Sequence, residues 1–237
     1  MRSLSSLLLS ALLAILSISA MAQEENGITR EIEMGGLFIS GNTEGQSLNF
    51  AGAINIDRGK WAYNFSLDAL YSSSESEVKG QRWYTVASAN YEVSETSFFQ
   101  TRFSHEDDRF SGYDSQSDLT VNYGALFLQN LPNMGLTLNA GLGIRWSRLD
   151  NSDFDEPILR FAGDYDWNVS ETAVFSQELS TEYGTDSNIY RSKSSIETQI
   201  LENLSLRFSL NIKHQTVVPH GREETDTETA ITFIMSF

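Results

Sequence analysis

The chain has 237 residues and carries 32 acidic side chains against 16 basic ones, a formal net charge of −16. Such a charge repels nucleic acid and bare anionic surfaces. No cysteine is present, which excludes disulfides, thiol nucleophiles and thiolate metal sites.

The chain opens with Arg2, an apolar stretch from Leu4 to Ser19, and the small-x-small triplet Ala20-Met21-Ala22. This pattern predicts a secretory signal cleaved after Ala22. A single domain over 23–237 would remain, a length suited to one large all-β unit. No cysteine follows the cleavage point, so a lipid anchor is not expected. Beyond Gln23 no run of about 18 apolar residues exists, so no membrane-spanning helix is expected. The mean hydropathy of −0.28 still allows a membrane barrel, in which only alternate residues face lipid.

Twelve strands follow in order. Glu31–Ser40 alternates weakly around Gly35-Gly36. Gln46–Asp57 sets Leu48, Phe50, Ile54 and Ile56 against Asn49, Asn55 and Asp57. A turn at Asp57–Lys60, with Gly59 for positive φ, leads into Trp61–Ser72, whose Trp61, Tyr63, Phe65, Leu67 and Tyr71 share a face. The rest are Gln81–Val93, Ser97–Glu106, Ser115–Phe127, Leu136–Ser147, Ile158–Trp167, Thr172–Tyr183, Ile189–Leu201, Leu204–Thr216 and Asp226–Phe237. Most are long enough to cross a bilayer core at a tilt of about 45°. The fourth alternates poorly.

Alternate connections differ in kind. Those at Asp57–Lys60, Val93–Thr96, Asn168–Glu171 and Glu202-Asn203 are short; Leu128–Gly135 is the long exception. The others (Gly41–Gly45, Ser73–Gly80, Asp107–Asp114, Arg148–Pro157, Gly184–Asn188 and Val217–Thr225) are generally longer and more acidic. That asymmetry fits periplasmic turns and exposed loops. Trp61, Tyr71, Trp83, Tyr91, Trp146, Tyr165, Trp167 and Tyr183 lie near strand ends, as interfacial girdles require. A soluble lipocalin-like barrel or sandwich would also alternate, but it would not need aromatics there. The last strand places Thr229, Ile231, Phe233, Met235 and Phe237 on one face and ends on an aromatic. An uncapped apolar edge would invite aggregation in a soluble protein, whereas barrel closure removes it. The predicted fold is therefore all-β: a transmembrane antiparallel up-and-down β-barrel of about twelve strands.

Several short pieces carry a resemblance: Ile39-Ser40-Gly41-Asn42-Thr43, the Arg58–Trp61 turn, Asp108-Arg109-Phe110-Ser111-Gly112 and the terminal Phe237. Together they resemble the salt-induced outer-membrane protein family. The resemblance implies an outer-membrane β-barrel of unknown function over essentially the whole mature chain, in a Gram-negative bacterium. The terminal strand also resembles the signal by which such proteins are recognised for assembly. The implied partners are outer-membrane lipids and lipopolysaccharide, and the barrel-assembly machinery through that strand. A monomer is expected, with no nucleic acid and no cofactor.

If the apolar parity faces lipid, the other parity lines the lumen. It carries Arg82, Arg102, Arg145, Arg160, Arg191, Lys193, Arg207 and Lys213, beside Asp68, Asp118, Asp164, Asp166, Glu178, Glu182, Glu197 and Glu228. This lumen is balanced, with the acid excess in the loops. Two readings follow: a narrow pore with charged rungs that selects solutes, or a paired network that fills the barrel and holds it shut. The run Asp150–Glu156 could bind a divalent cation through oxygens, but it lacks the glycine of a calcium loop; solvated loops explain it better. His105, beside Glu106, Asp107 and Asp108, is the single acid–histidine cluster. Adjacent strand residues face opposite ways, so no catalytic site is expected, and no metal site.

Overall fold

A computed structural model describes residues 27–40, 45–74, 77–108, 113–149 and 152–237. The signal segment and the turn pieces at 41–44 and 109–112 lie outside the described residues. The strands are β1 (Ile28–Ser40), β2 (Gly45–Arg58), β3 (Trp61–Ser74), β4 (Glu77–Ser94), β5 (Ser97–Asp108) and β6 (Ser115–Phe127). They continue as β7 (Met134–Leu149), β8 (Ser152–Asn168), β9 (Ala173–Gly184), β10 (Asn188–Leu201), β11 (Leu204–Gln215) and β12 (Thr225–Ser236). Each pairs antiparallel with its sequence neighbours, and β1 pairs with β12 to close the ring. Among the described residues no helix is long and apolar enough to cross a membrane.

Closure satisfies every edge. The Phe237 amide donates to the Arg30 carbonyl and the Arg30 amide to the Phe237 carbonyl, each at 2.9 Å. The final residue therefore completes the β1–β12 seam. Gly59 does adopt φ +62° in its two-residue turn, a left-handed conformation that glycine takes without steric cost.

The two faces are inverted relative to a soluble protein. Large apolar side chains such as Phe50, Phe65, Trp83, Phe103, Leu142, Phe161, Phe208 and Phe233 are exposed. Glu106, Asp118, Asn122, Arg145, Glu156, Arg160, Glu182, Glu228 and Thr232 are buried. Burial here means the interior of the ring, which explains why the apolar parity of each strand looks outward. Few apolar groups turn inward; Leu70 on β3 and Ala230 on β12 form the small buried apolar cluster.

Several strands run past the expected boundaries. β4 begins at Glu77 and β8 at Ser152, so Ser73–Gly80 and Arg148–Pro157 are mostly strand rather than loop. These strand ends lie beyond the segments that alternate in sequence. Outside a bilayer both faces of a strand meet water, so the period-two signal that marks the spanning part fades there. The acidic run Asp150–Glu156 is accordingly a strand ladder from Ser152 onward, with Arg148 opposite Asp153 and Arg145 opposite Glu156.

Glycine marks one close approach. A Cβ at Gly143 on β7 would run into the Leu119 carbonyl and the Thr120 methyl of β6. We expect Gly143→Val to abolish the heat-modifiable folded band on a gel, because the obstruction is largely backbone and cannot move aside.

Candidate functional site

The interior charges form three groups. The first is packed against the wall near the loop end. Arg145 on β7 is fully buried and grips Asp118 of β6 with two bonds of 2.8 Å. On its other flank Glu156 of β8 lies 3.7 Å away. The register explains this: Asp118, Arg145 and Glu156 are direct cross-strand neighbours, so opposite charges meet along one row. The Asp186 amide donates to Glu156 at 2.7 Å, and Gly184 leaves the space that the Glu156 carboxylate occupies. Tyr113 folds over this group and donates to the Val217 carbonyl at 3.2 Å. Burial raises the Tyr113 phenol above its ordinary value, so it remains a neutral donor.

The second group crosses the lumen. Arg191 of β10 and Lys213 of β11 are direct cross-strand neighbours, a like-charge arrangement that is unfavourable alone. Glu106 reaches from β5, on the opposite wall, and accepts from Arg191 at 2.9 Å and Lys213 at 2.7 Å. Arg191 also donates to Glu182 at 2.7 Å, and its guanidinium stands 5.4 Å from the Tyr84 ring centroid, a cation–π arrangement. Glu182 lies 3.4 Å from the Nε of Arg160. Arg82 of β4 pairs with Glu228 of β12, across three intervening strands.

The third group follows the seam. Arg207 bridges Glu33 of β1 at 2.7 Å and Glu197 of β10 at 2.8 Å, and Thr232 donates to Glu33. Lys193 and Glu178 are looser, at 3.8 Å and partly exposed.

These bridges border an internal cavity of about 660 Å³. Of the sixteen side chains assigned to the lumen from sequence, Asp68, Arg82, Arg102, Arg160, Asp164, Glu178, Arg191, Lys193, Arg207, Lys213 and Glu228 line it, whereas Asp118, Arg145, Asp166, Glu182 and Glu197 do not. Arg145 is consumed by the wall-packed group. A neutral arc completes the lining. Asn64 donates to Asn55 at 2.7 Å and Gln100 to Asn90 at 2.9 Å. Asn122 extends the arc by donating to Gln100 at 3.3 Å.

The expectation of a balanced lumen is corrected. Glu33, Glu106 and Glu156 also point inward, and the first two meet cations there. Glu156 fell in the expected loop Arg148–Pro157, and Glu106 at the very end of the expected fifth strand, because both strands continue beyond the alternating segment. The signal that could have found them is parity: Glu106 continues the row of Arg102 and Ser104, and Glu33 stands between outward Ile32 and Met34. Tyr84 was hidden by the weak alternation of β4. His105 is turned away from Glu106, as adjacent strand residues must be, and bonds Ser117 at 2.8 Å. His214 bonds Thr225 in the same cross-strand manner at 2.9 Å.

A closed ring of twelve antiparallel strands with a charged interior invites comparison. Residues 32–237 match the model of a family described as protein of unknown function, DUF481. The chain belongs to that family. An uncharacterized protein of Escherichia coli strain K12, YdiY, is 25% identical over 202 residues, covering 84% of this chain and 79% of that protein. Among solved structures, the NanC porin superposes with TM-score 0.59 at 7% identity, covering 86% of this chain and 98% of that one. The KdgM porin, solved with disordered oligogalacturonate, superposes with TM-score 0.51 at 13% identity, covering 87% and 99%. At such identities the likeness is one of fold: this DUF481 member has the architecture of outer-membrane β-barrels of the porin kind.

Proposed function

We propose that the mature chain, beginning at Gln23, is a single-domain monomer in the bacterial outer membrane and acts as a passive channel for small polar solutes. The observation that carries this reading is the internal cavity of about 660 Å³, lined by the residues of side-chain bridges such as Glu106 with Arg191 and Lys213. Glu106, Arg191 and Lys213 meet at their side-chain ends. Rotamer changes can part such a bridge without disturbing the ring, and a path narrowed by charged rungs is how pores select solutes. Arg82, Arg102, Arg160, Asp164, Glu178, Arg191, Lys193 and Arg207 are the lining we assign to the path. The strand ending in Phe237 is the segment we assign to recognition by the assembly machinery, and the exposed aliphatic and aromatic belt to contact with lipid and lipopolysaccharide.

A second reading draws on the same bridges. Ion pairs joining opposite walls would also brace a barrel that does not conduct. Single-channel recording of the refolded protein in a planar bilayer separates the two. Discrete, reproducible steps support the channel. A silent bilayer with protein whose folding is established by heat-modifiable mobility overturns it and leaves the bracing barrel.

A further inference from the structure

Most cations of the interior are matched; Arg102 is not. Among the described residues, Arg102 on β5 makes no ion pair. It donates to Ser104 at 2.9 Å and to the Tyr84 hydroxyl at 2.7 Å, both neutral. Its neighbour Arg160 on β8 is buried; it donates to Asn139 at 2.6 Å, and its Nε lies 3.4 Å from the Glu182 carboxylate without an aligned hydrogen bond. Asp164 lies further along the same face of β8 and lines the same cavity. It too makes no ion pair among the described residues, and its cross-strand neighbour on β9 is the like-charged Glu178. A cation and a carboxylate therefore line one space, on β5 and on β8, without an ion pair of their own. In a narrow lumen an unmatched charge is costly, and matching it is the task left to a visitor.

The ligand chemistry follows from charge. A simple anion would match Arg102 and Arg160, but it would be repelled by Asp164 and Glu178 and, outside, by a protein of net charge −16. A simple cation would match Asp164 and meet the two guanidinium groups. A small zwitterion satisfies both ends while carrying no net charge past the acidic loops. Its carboxylate would take the charge-assisted donors of Arg102, with Arg160 and the Gln100 and Asn139 amides beside them in the lining. Its ammonium would take Asp164.

We infer that the Arg102–Arg160–Asp164 face of the cavity is a binding site for small zwitterionic solutes of the α-amino acid class. The inference deepens the channel reading and rests on it for the solute's route to the site.

The test is saturation-transfer NMR on the refolded full-length mature barrel in detergent, with glycine as the probe and acetate and methylammonium as single-charge controls. Glycine should bind saturably, and each control at least about tenfold more weakly, because each loses a charge-assisted contact and keeps a repulsion. Arg102→Gln and Asp164→Asn should each weaken glycine about tenfold, and Arg102→Lys should restore part of the loss. Arg148→Gln, a change in an exposed pair at the loop end, should leave binding unchanged. Neither Arg102 nor Asp164 anchors an ion pair, so these variants should keep heat-modifiable mobility. Acetate binding as tightly as glycine, or glycine indifferent to Asp164→Asn, overturns the zwitterion site. A barrel silent in the bilayer that binds glycine through both residues overturns the channel and keeps the site. A conducting barrel that does not bind glycine overturns the site alone.

Discussion

Glu106→Gln is expected to destabilise the folded barrel by about 3–5 kcal/mol, the range for removing one partner of a buried ion pair, and to widen its conductance. Two cations depend on this carboxylate, Lys213 at 2.7 Å and Arg191 at 2.9 Å. Arg191 keeps Glu182, but Lys213 has no other ion pair among the described residues. The variant leaves these two neighbouring cations facing each other, so much of the loss is mutual repulsion. Glu106→Gln combined with Lys213→Met should therefore recover most of the stability while leaving the lumen open. Urea midpoints of the refolded proteins measure the first effect and single-channel recordings the second. A lowered midpoint with unchanged conductance would remove Glu106 from the narrow point while leaving it as a brace.

Arg145→Met should cost at least as much, again about 3–5 kcal/mol, with a different signature. Arg145 is fully buried between Asp118 and Glu156, so its loss leaves two carboxylates in one dry row. Neutralising them as well, with Asp118→Asn and Glu156→Gln, should return most of the stability, because hydrogen bonds replace charges along the same ladder. Conductance should change little in either protein, since this group sits against the wall and does not line the cavity. Midpoints that fail to recover in the triple variant would mean that Arg145 matters through packing rather than charge.

How much of this could be read from the chain varies along it. Where a strand crosses the apolar band, one face must be greasy and the other need not be. Leu48, Phe50 and Ile54 on the second strand, like Ile231 and Phe233 on the last, therefore announce both the strand and its orientation. The aromatic positions at strand ends follow from the same solvent boundary. At the start of β8, Asp153, Phe154, Asp155 and Glu156 alternate only weakly, and a strand reads as an acidic loop. β4 fails for another reason: Tyr84 and Val86 face inward while Thr85 and Ala87 face outward, so the polarity of its faces is blurred. Pairing partners across the lumen are a third case. That Arg191 faces inward follows from parity; that it meets Glu106 depends on the tilt and stagger of the whole ring, which no local pattern encodes. The unmatched Arg102 and Asp164 could not be picked out for the same reason, because being unpaired is a property of all the neighbours at once.

The seam between the first and last strands has a consequence for how the barrel comes into being. Glu33 is held by Thr232 and Arg207, 199 and 174 positions later in the chain, and Arg82 by Glu228, 146 positions later. Contacts that distant cannot form until nearly the whole ring is in place. Until then these carboxylates and guanidinium groups remain hydrated, and they keep the unclosed sheet compatible with water. Zipping β12 onto β1 matches them in one event, so a barrel lacking its last strand forfeits interior bridges as well as an edge. Assembly is then strongly cooperative: the late step that removes the open edge also pairs these distant interior charges.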